Sequence, residues 1–160
     1  MATQTQQRSR EIERIHSMFR SSFSGDAWHG DSVMKIVDEI TAEQAAAYPI
    51  PGAHSIWELV QHMAVWEDVV RRRLGGETVL PTPEEDWPAV RSTDAAAWKK
   101  VVETLKSNHA ALERMVAEMM DDRLDEIIPA QNYNAYAMLH GIIQHDLYHA
   151  GQIALLKKAA

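Results

Sequence analysis

Apolar residues recur along this chain at intervals of three and four, the period of a helix buried on one face. The strict alternation of a half-buried strand is missing. Ile12, Ile15, Phe19 and Phe23 form one such stripe and predict a first helix over about Gln6–Phe23, interrupted by Ser24-Gly25-Asp26. Val33, Ile36, Val37 and Ile40 predict a short extra helix within 31–40. Thr41-Ala42-Glu43-Gln44 has the pattern of a capping box and opens a short Ala-rich turn, which Pro49 and Pro51-Gly52 bring to an end. Ser55-Ile56-Trp57-Glu58 is a second capping box. It starts a long helix that runs to Leu74, where Gly75-Gly76 stops it. The apolar positions Ile56, Leu59, Val60, Met63, Val65, Trp66, Val69 and Val70 cover too wide an arc for a surface helix and predict packing on two sides.

Residues 78–91, with three prolines, read as a linker. A third long helix is expected from Ser92-Thr93-Asp94 to about Asp121, with its stripe on Trp98, Val101, Leu105, His109, Leu112, Val116 and Met119. A fourth starts at the N-cap Asn134 and ends in Lys157-Lys158, whose cations complement the helix dipole. At roughly 24 residues it would span about 36 Å. Four long helices with apolar stripes are buried most simply as an all-α four-helix bundle, here a single domain over 1–160 with a short extra helix between the first two long ones.

Composition narrows the chemistry. Among 160 residues, 23 acidic against 16 basic side chains leave a formal charge of -7, which argues against nucleic acid as a partner. No apolar run is long enough to span a membrane, and Met1–Arg10 has no apolar leader core, so the expected location is cytoplasmic. The chain has no Cys, which excludes disulfides, thiolate metal sites, iron–sulfur clusters and a cysteine nucleophile. Any metal must therefore be held by Asp, Glu or the eight His.

His145 and His149 stand one turn apart on one face of the fourth helix, a spacing that lets two imidazoles reach one ion. The spacing alone reads equally well as two partly exposed histidines. The flanking sequence is nearly all apolar, however, and a buried neutral His needs a hydrogen-bond partner or a metal. Gln152 follows on the same face. A third donor must come from another helix. His62, mid-helix among apolar neighbours, is the best candidate, although in isolation it reads as a hydrogen-bonded core His.

The runs His54-Ser55-Ile56-Trp57-Glu58-Leu59-Val60-Gln61-His62-Met63 and Gly141-Ile142-Ile143-Gln144-His145-Asp146-Leu147-Tyr148-His149-Ala150-Gly151-Gln152-Ile153 resemble the DinB-like family. Trp28-His29-Gly30 and Asp86-Trp87-Pro88 add to the likeness, which extends over nearly the whole chain. The resemblance implies an up-down-down-up four-helix bundle, often a homodimer. It also implies a divalent metal, commonly nickel or zinc, held by three histidines that match His62, His145 and His149.

The other histidines read more plainly. His29 could line the pocket mouth; His54 is expected in an exposed loop; His140 faces away from the pair and packs on a neighbour. His109 lies on a core stripe and is the best extra pocket residue. Glu13-x-x-His16 is half of a di-iron ligand set with no second half in the chain. Glu58, one turn before His62, could orient a ligand or act as a base, but its capping box already accounts for it. Tyr148 could donate to a bound substrate, and Asp146 stands beside the pair in sequence.

Three His ligands leave an ion one position open, to lower the pKa of water or to bind a thiol as thiolate. The resemblance implies both uses, since some relatives look like hydrolases and others work with low-molecular-weight thiols such as bacillithiol and mycothiol. The first reading is therefore a metal-dependent hydrolase or thiol S-transferase acting on a small molecule. The alternatives are a non-catalytic, stress-related protein that binds metal or a small ligand, and a bundle with no metal at all. Any thiol would have to come from outside the chain.

Overall fold

A computed structural model describes residues 10–160. Helix α1 spans Arg10–Ser24; the expected start over residues 6–9 lies outside the described residues. Two short helices follow, α2 (Val33–Val37) and α3 (Ala42–Ala46), then α4 (Ile56–Leu74). Helix α5 (Pro83–Asp86) precedes α6 (Ala95–Ala117), a 3₁₀ turn at Asp121–Asp125, and α7 (Ala135–Ala159). Among the described residues there are two isolated β-bridges and no strand, and no helix is long and apolar enough to cross a membrane.

Local chemistry sets most of these ends. The Thr41 and Ser55 hydroxyls accept from Gln44 and Glu58 N–H, and each N3 side chain returns a bond, completing both expected boxes. Asp94 and Asn134 cap α6 and α7 from their side chains. Two expectations need correction. The linker contains α5, because Thr82-Pro83-Glu84-Glu85 is itself a capping box with proline in the first turn. Helix α6 stops four residues short of Asp121, whose carboxylate instead accepts from the N–H groups of Glu11 and Ile12, 3.3 and 2.9 Å away. The orphan donors at the start of α1 are thus satisfied from 110 residues away.

The long helices α1 and α4 both pack between α6 and α7, so the order around the bundle is α1, α6, α4, α7. The core divides into two apolar clusters. One gathers around Trp57, Met63, Trp98, Leu105 and Ile153, the other around Ile15, Phe19, Leu112, Leu139 and Ile142. Between them the stripes of three helices turn polar at the same level. Glu67 lies between Met63 and Val70 on α4, His109 between Leu105 and Leu112 on α6, and Asp146 between Ile142 and Ala150 on α7. Helix α7 also carries Gly141 in its interior, at a cost of about 1 kcal/mol relative to alanine. A Cβ at this position would meet nothing within 4 Å.

Candidate metal centre

Helix α4 brings His62 and helix α7 brings His145 and His149 to one point. The Nε2 atoms of His62 and His149 lie 3.0 and 3.1 Å from that of His145. His62 and His149 are buried, and His145 is partly open. The three residues that spacing and resemblance suggested are therefore brought together.

The far side of each outer ring decides its tautomer. The Nδ1 of His62 faces Asp86, 2.9 Å from Oδ1 and 3.0 Å from the carbonyl oxygen. Both partners only accept, so Nδ1 carries the proton. Gln152 Oε1 accepts from His149 Nδ1 at 2.6 Å. With both rings neutral, as metal ligands must be, each turns its Nε2 lone pair towards His145, whose own Nε2 can offer one N–H at most. Two acceptors converging on a single donor leave an electron pair over, which a cation would satisfy. Nitrogens bound to one tetrahedral ion at the usual ~2.0–2.1 Å stand roughly 3.3 Å apart, close to the separations here. Burial, and secondarily the neighbouring His62, hold the His149 pKa below its ordinary value, against the pull of Gln152. That keeps the ring in the neutral form a metal requires.

Two residues of the linker complete the centre. Asp86 also accepts from Trp66 Nε1 at 2.7 Å, which anchors the carboxylate that orients His62. Trp87 stacks on His62 at 3.9 Å and on His54 at 3.7 Å. Neither was read as a site residue. Their signal was the Thr82-x-x-Glu85 box, whose short helix delivers both to α4.

Other site residues fall elsewhere. The Glu58 carboxylate is committed to the Ser55 N–H at 2.8 Å, with His54 at 3.4 Å. Its burial raises the pKa, but the Ser55 N–H, Tyr48 and His54 together outweigh that and hold it below the usual carboxylate range. Tyr148 is largely exposed beside His149, ring to ring at 5.1 Å. His54 is half exposed, as expected of a loop residue, yet it lines the cleft at the site. That cleft, about 480 Å³, opens on the His149 side between Ile50, His54, Trp87, Tyr148 and Gln152. His29 belongs to a different groove, with Asp31 and Lys157. His140 packs on Tyr136, and His16 pairs with Glu113 at 3.2 Å.

His109, expected as an extra pocket residue, lines neither the cleft at the site nor the His29 groove and is buried in the core. It lies between Phe19 and Phe23, stacked at 4.1 and 3.5 Å, with Nδ1 2.9 Å from Glu67 Oε1. Asp146 belongs to this same buried group, within 4.8 Å of Glu67 and His109, while its Oδ1 stays 3.7 Å from His145 Nδ1. Sequence reading missed Glu67; a lone acid between Met63 and Val70 on a core stripe was the available signal. Glu67, His109 and Asp146 are also spaced closely enough to surround an ion. Burial, however, pushes Glu67 up to about 8, raises Asp146 well above its ordinary value and pushes His109 down to about 4. Burial thus favours the neutral form of all three side chains, although Glu67 Oε2, His109 Nε2 and Asp146 Oδ1 each lack a hydrogen-bond partner among the described residues.

The DinB superfamily profile matches residues 26–153, a span that includes all three histidines. The chain belongs to the DinB superfamily. A DinB-like protein from Bacillus cereus ATCC 10987 has a similar fold, with a TM-score of 0.63 at 20% identity over 92% of this chain and 89% of that one. A conserved protein from Enterococcus faecalis superposes with a TM-score of 0.60 at 17% identity, over 99% and 98% of the two chains. No curated protein matches the chain. Within this DinB fold the histidine centre draws on α4 and α7, and the linker between α4 and α6 closes over it.

Proposed function

We propose that His62, His145 and His149 hold one divalent ion, nickel or zinc, and that the protein is a metal-dependent enzyme acting on a small molecule. Three imidazole Nε2 atoms converging at 3.0 and 3.1 Å, with the Nδ1 atoms of the outer two rings held by acceptors, are the observation that carries this reading. Such an ion would supply a Lewis acid with an open position, able to take up a thiol as thiolate or to acidify water. The chain's own residues do the rest. Asp86 and Gln152 hold the ring orientations, and Trp87 covers His62 and keeps water from that side.

His54 is the group placed to accept a proton. Its Nδ1 lies 3.4 Å from the Glu58 carboxylate, and its ring lines the cleft that His149 also lines. This moves the acid–base role from Glu58 to the pair His54–Glu58, with Tyr148 left to contact substrate at the rim. Between the two chemistries, transfer to an external low-molecular-weight thiol fits better, because such a reaction needs one proton acceptor and an apolar cleft for the electrophile. The cytoplasm, where such thiols are kept reduced, is the expected location.

Metal-loaded protein incubated with an electrophile and a panel of small thiols should form conjugate. His54→Ala should lower the rate about 10²-fold or more. Turnover of esters or amides with no conjugation would favour the hydrolase. No turnover of either kind would favour a non-catalytic metal-binding role. Asp86→Ala removes the carboxylate, one of the two acceptors at His62 Nδ1, and leaves the backbone carbonyl; it should weaken metal affinity about 10-fold, read by competition with a chromogenic chelator. We also propose a homodimer, for which light scattering should give twice 18.1 kDa; a monomer mass would exclude it.

A further inference from the structure

On the His145 side of the centre lies a second cleft, about 340 Å³, walled by Trp66, Val70, Tyr133, Gly141, Ile142 and His145, with Arg73 at one end. Arg73 is only 5% exposed, and among the described residues no carboxylate lies within ion-pair distance of it. Its Nε and Nη2 donate to the Val79 carbonyl at 3.1 and 2.7 Å, and its Nη1 donates to the Tyr133 hydroxyl at 2.8 Å. The guanidinium also stands over the Trp66 ring at 5.5 Å. These contacts fix the group in place, but they are neutral and leave a buried cation without a counter-charge.

A guanidinium has five N–H donors, and three are used here, so each Nη keeps one. Tyr133, which accepts from Arg73, keeps its own O–H to donate. Arg73 and Tyr133 thus offer one N–H from each Nη of a guanidinium and a hydroxyl, donors that a carboxylate can accept from. The remaining walls are almost wholly apolar. Gly141 leaves the floor open where any larger residue would fill it, since no atom lies within 4 Å of its missing Cβ. We propose that this cleft binds a small monocarboxylate with an apolar, aryl or alicyclic body, its carboxylate on Arg73 and Tyr133 and its body between Trp66 and Ile142. Carboxylate recognition at Arg73 does not depend on the metal reading, and it can be tested without the metal.

The test is calorimetric titration of chelator-treated, metal-free protein with benzoate, benzamide and inorganic phosphate. Benzoate should saturate with a dissociation constant in the millimolar range or tighter, and benzamide should bind at least tenfold more weakly. Arg73→Gln could fail to fold, because Val79 loses both its donors. Gly141→Leu leaves Arg73 intact, replaces glycine with a strong helix former and fills the cleft, so it should abolish binding while the protein stays folded by circular dichroism. Tyr133→Phe should weaken benzoate severalfold, and His62→Ala should leave it unchanged. Absence of saturation, equal binding of benzamide, tighter binding of phosphate, or benzoate binding that survives Gly141→Leu would each overturn the proposal. Benzoate binding lost in His62→Ala would place the ligand on the histidines and overturn it as well. Failure of the metal reading alone would leave all these results standing.

Discussion

Protein purified without a polyhistidine tag and loaded with nickel or zinc should carry about one ion per chain, and His62→Ala or His149→Ala should bring this below about 0.1. Each variant removes one of three nitrogens. It also leaves a remaining lone pair facing His145 alone, an arrangement that a hydrogen bond satisfies without an ion. The effect should be as large in stability as in stoichiometry. An ion at a thousand times its dissociation constant stabilises the folded state by about 4 kcal/mol. For a domain of this size that raises Tm by roughly 8–16 °C. Either variant should lose the shift while keeping the metal-free Tm close to that of the parent, because each imidazole has the space of an alanine methyl and more, and the cleft can take water. Elemental analysis and thermal melts with and without metal decide the matter. A parent protein that binds no metal, with a Tm indifferent to nickel and zinc, would remove the centre altogether.

Stability of the metal-free protein should fall as pH rises from about 6.5 to 8, and Glu67→Gln should flatten that dependence. Glu67 is fully buried, and desolvation pushes its pKa up to about 8 from an ordinary 4.5. The folded chain therefore keeps a proton that the unfolded chain releases. Stability is complete below pH 4.5 and declines until pH 8. His109 acts in the opposite sense. Burial pushes it down to about 4, so the folded ring stays neutral while the unfolded ring is charged, and stability is lost as pH falls from 6.5 to 4. Between 4.5 and 6.5 the two slopes offset. Above 6.5 only the carboxyl slope remains, worth about 2 kcal/mol by pH 8. Asp146, raised in the same direction by burial and by Glu67, adds to the decline. Chemical denaturation at a series of pH values measures it. A flat or rising profile between 6.5 and 8 would mean that the cluster is ionised in the folded state.

How far the chain could be read depended on whether a signal was local. The caps at Ser55, Asp94 and Asn134 each involve residues within three positions, and all three were legible. So was the pairing of His145 with His149, because helical rise places them on one face whatever the rest of the molecule does. Helix α6 was read too long because its end is set by Asp121 serving α1, across 110 residues. Glu67 was missed for a related reason: His109 and Asp146, the groups around it, stand on other helices, and only packing brings them together.

What the sequence determined by itself was the inventory and the period. It specified long amphipathic helices, a chain that must borrow any thiol, and two imidazoles one turn apart. The tertiary structure decided which polar side chains meet. Packing α4 between α6 and α7 brought His62 to His145, and it closed Glu67, His109 and Asp146 into one buried layer. It also left Arg73 buried with no counter-charge among the described residues. Helical period determines the face on which a residue lies; only the register of one helix against another determines what that face meets, and there the burial of a charge turns from a cost into a site.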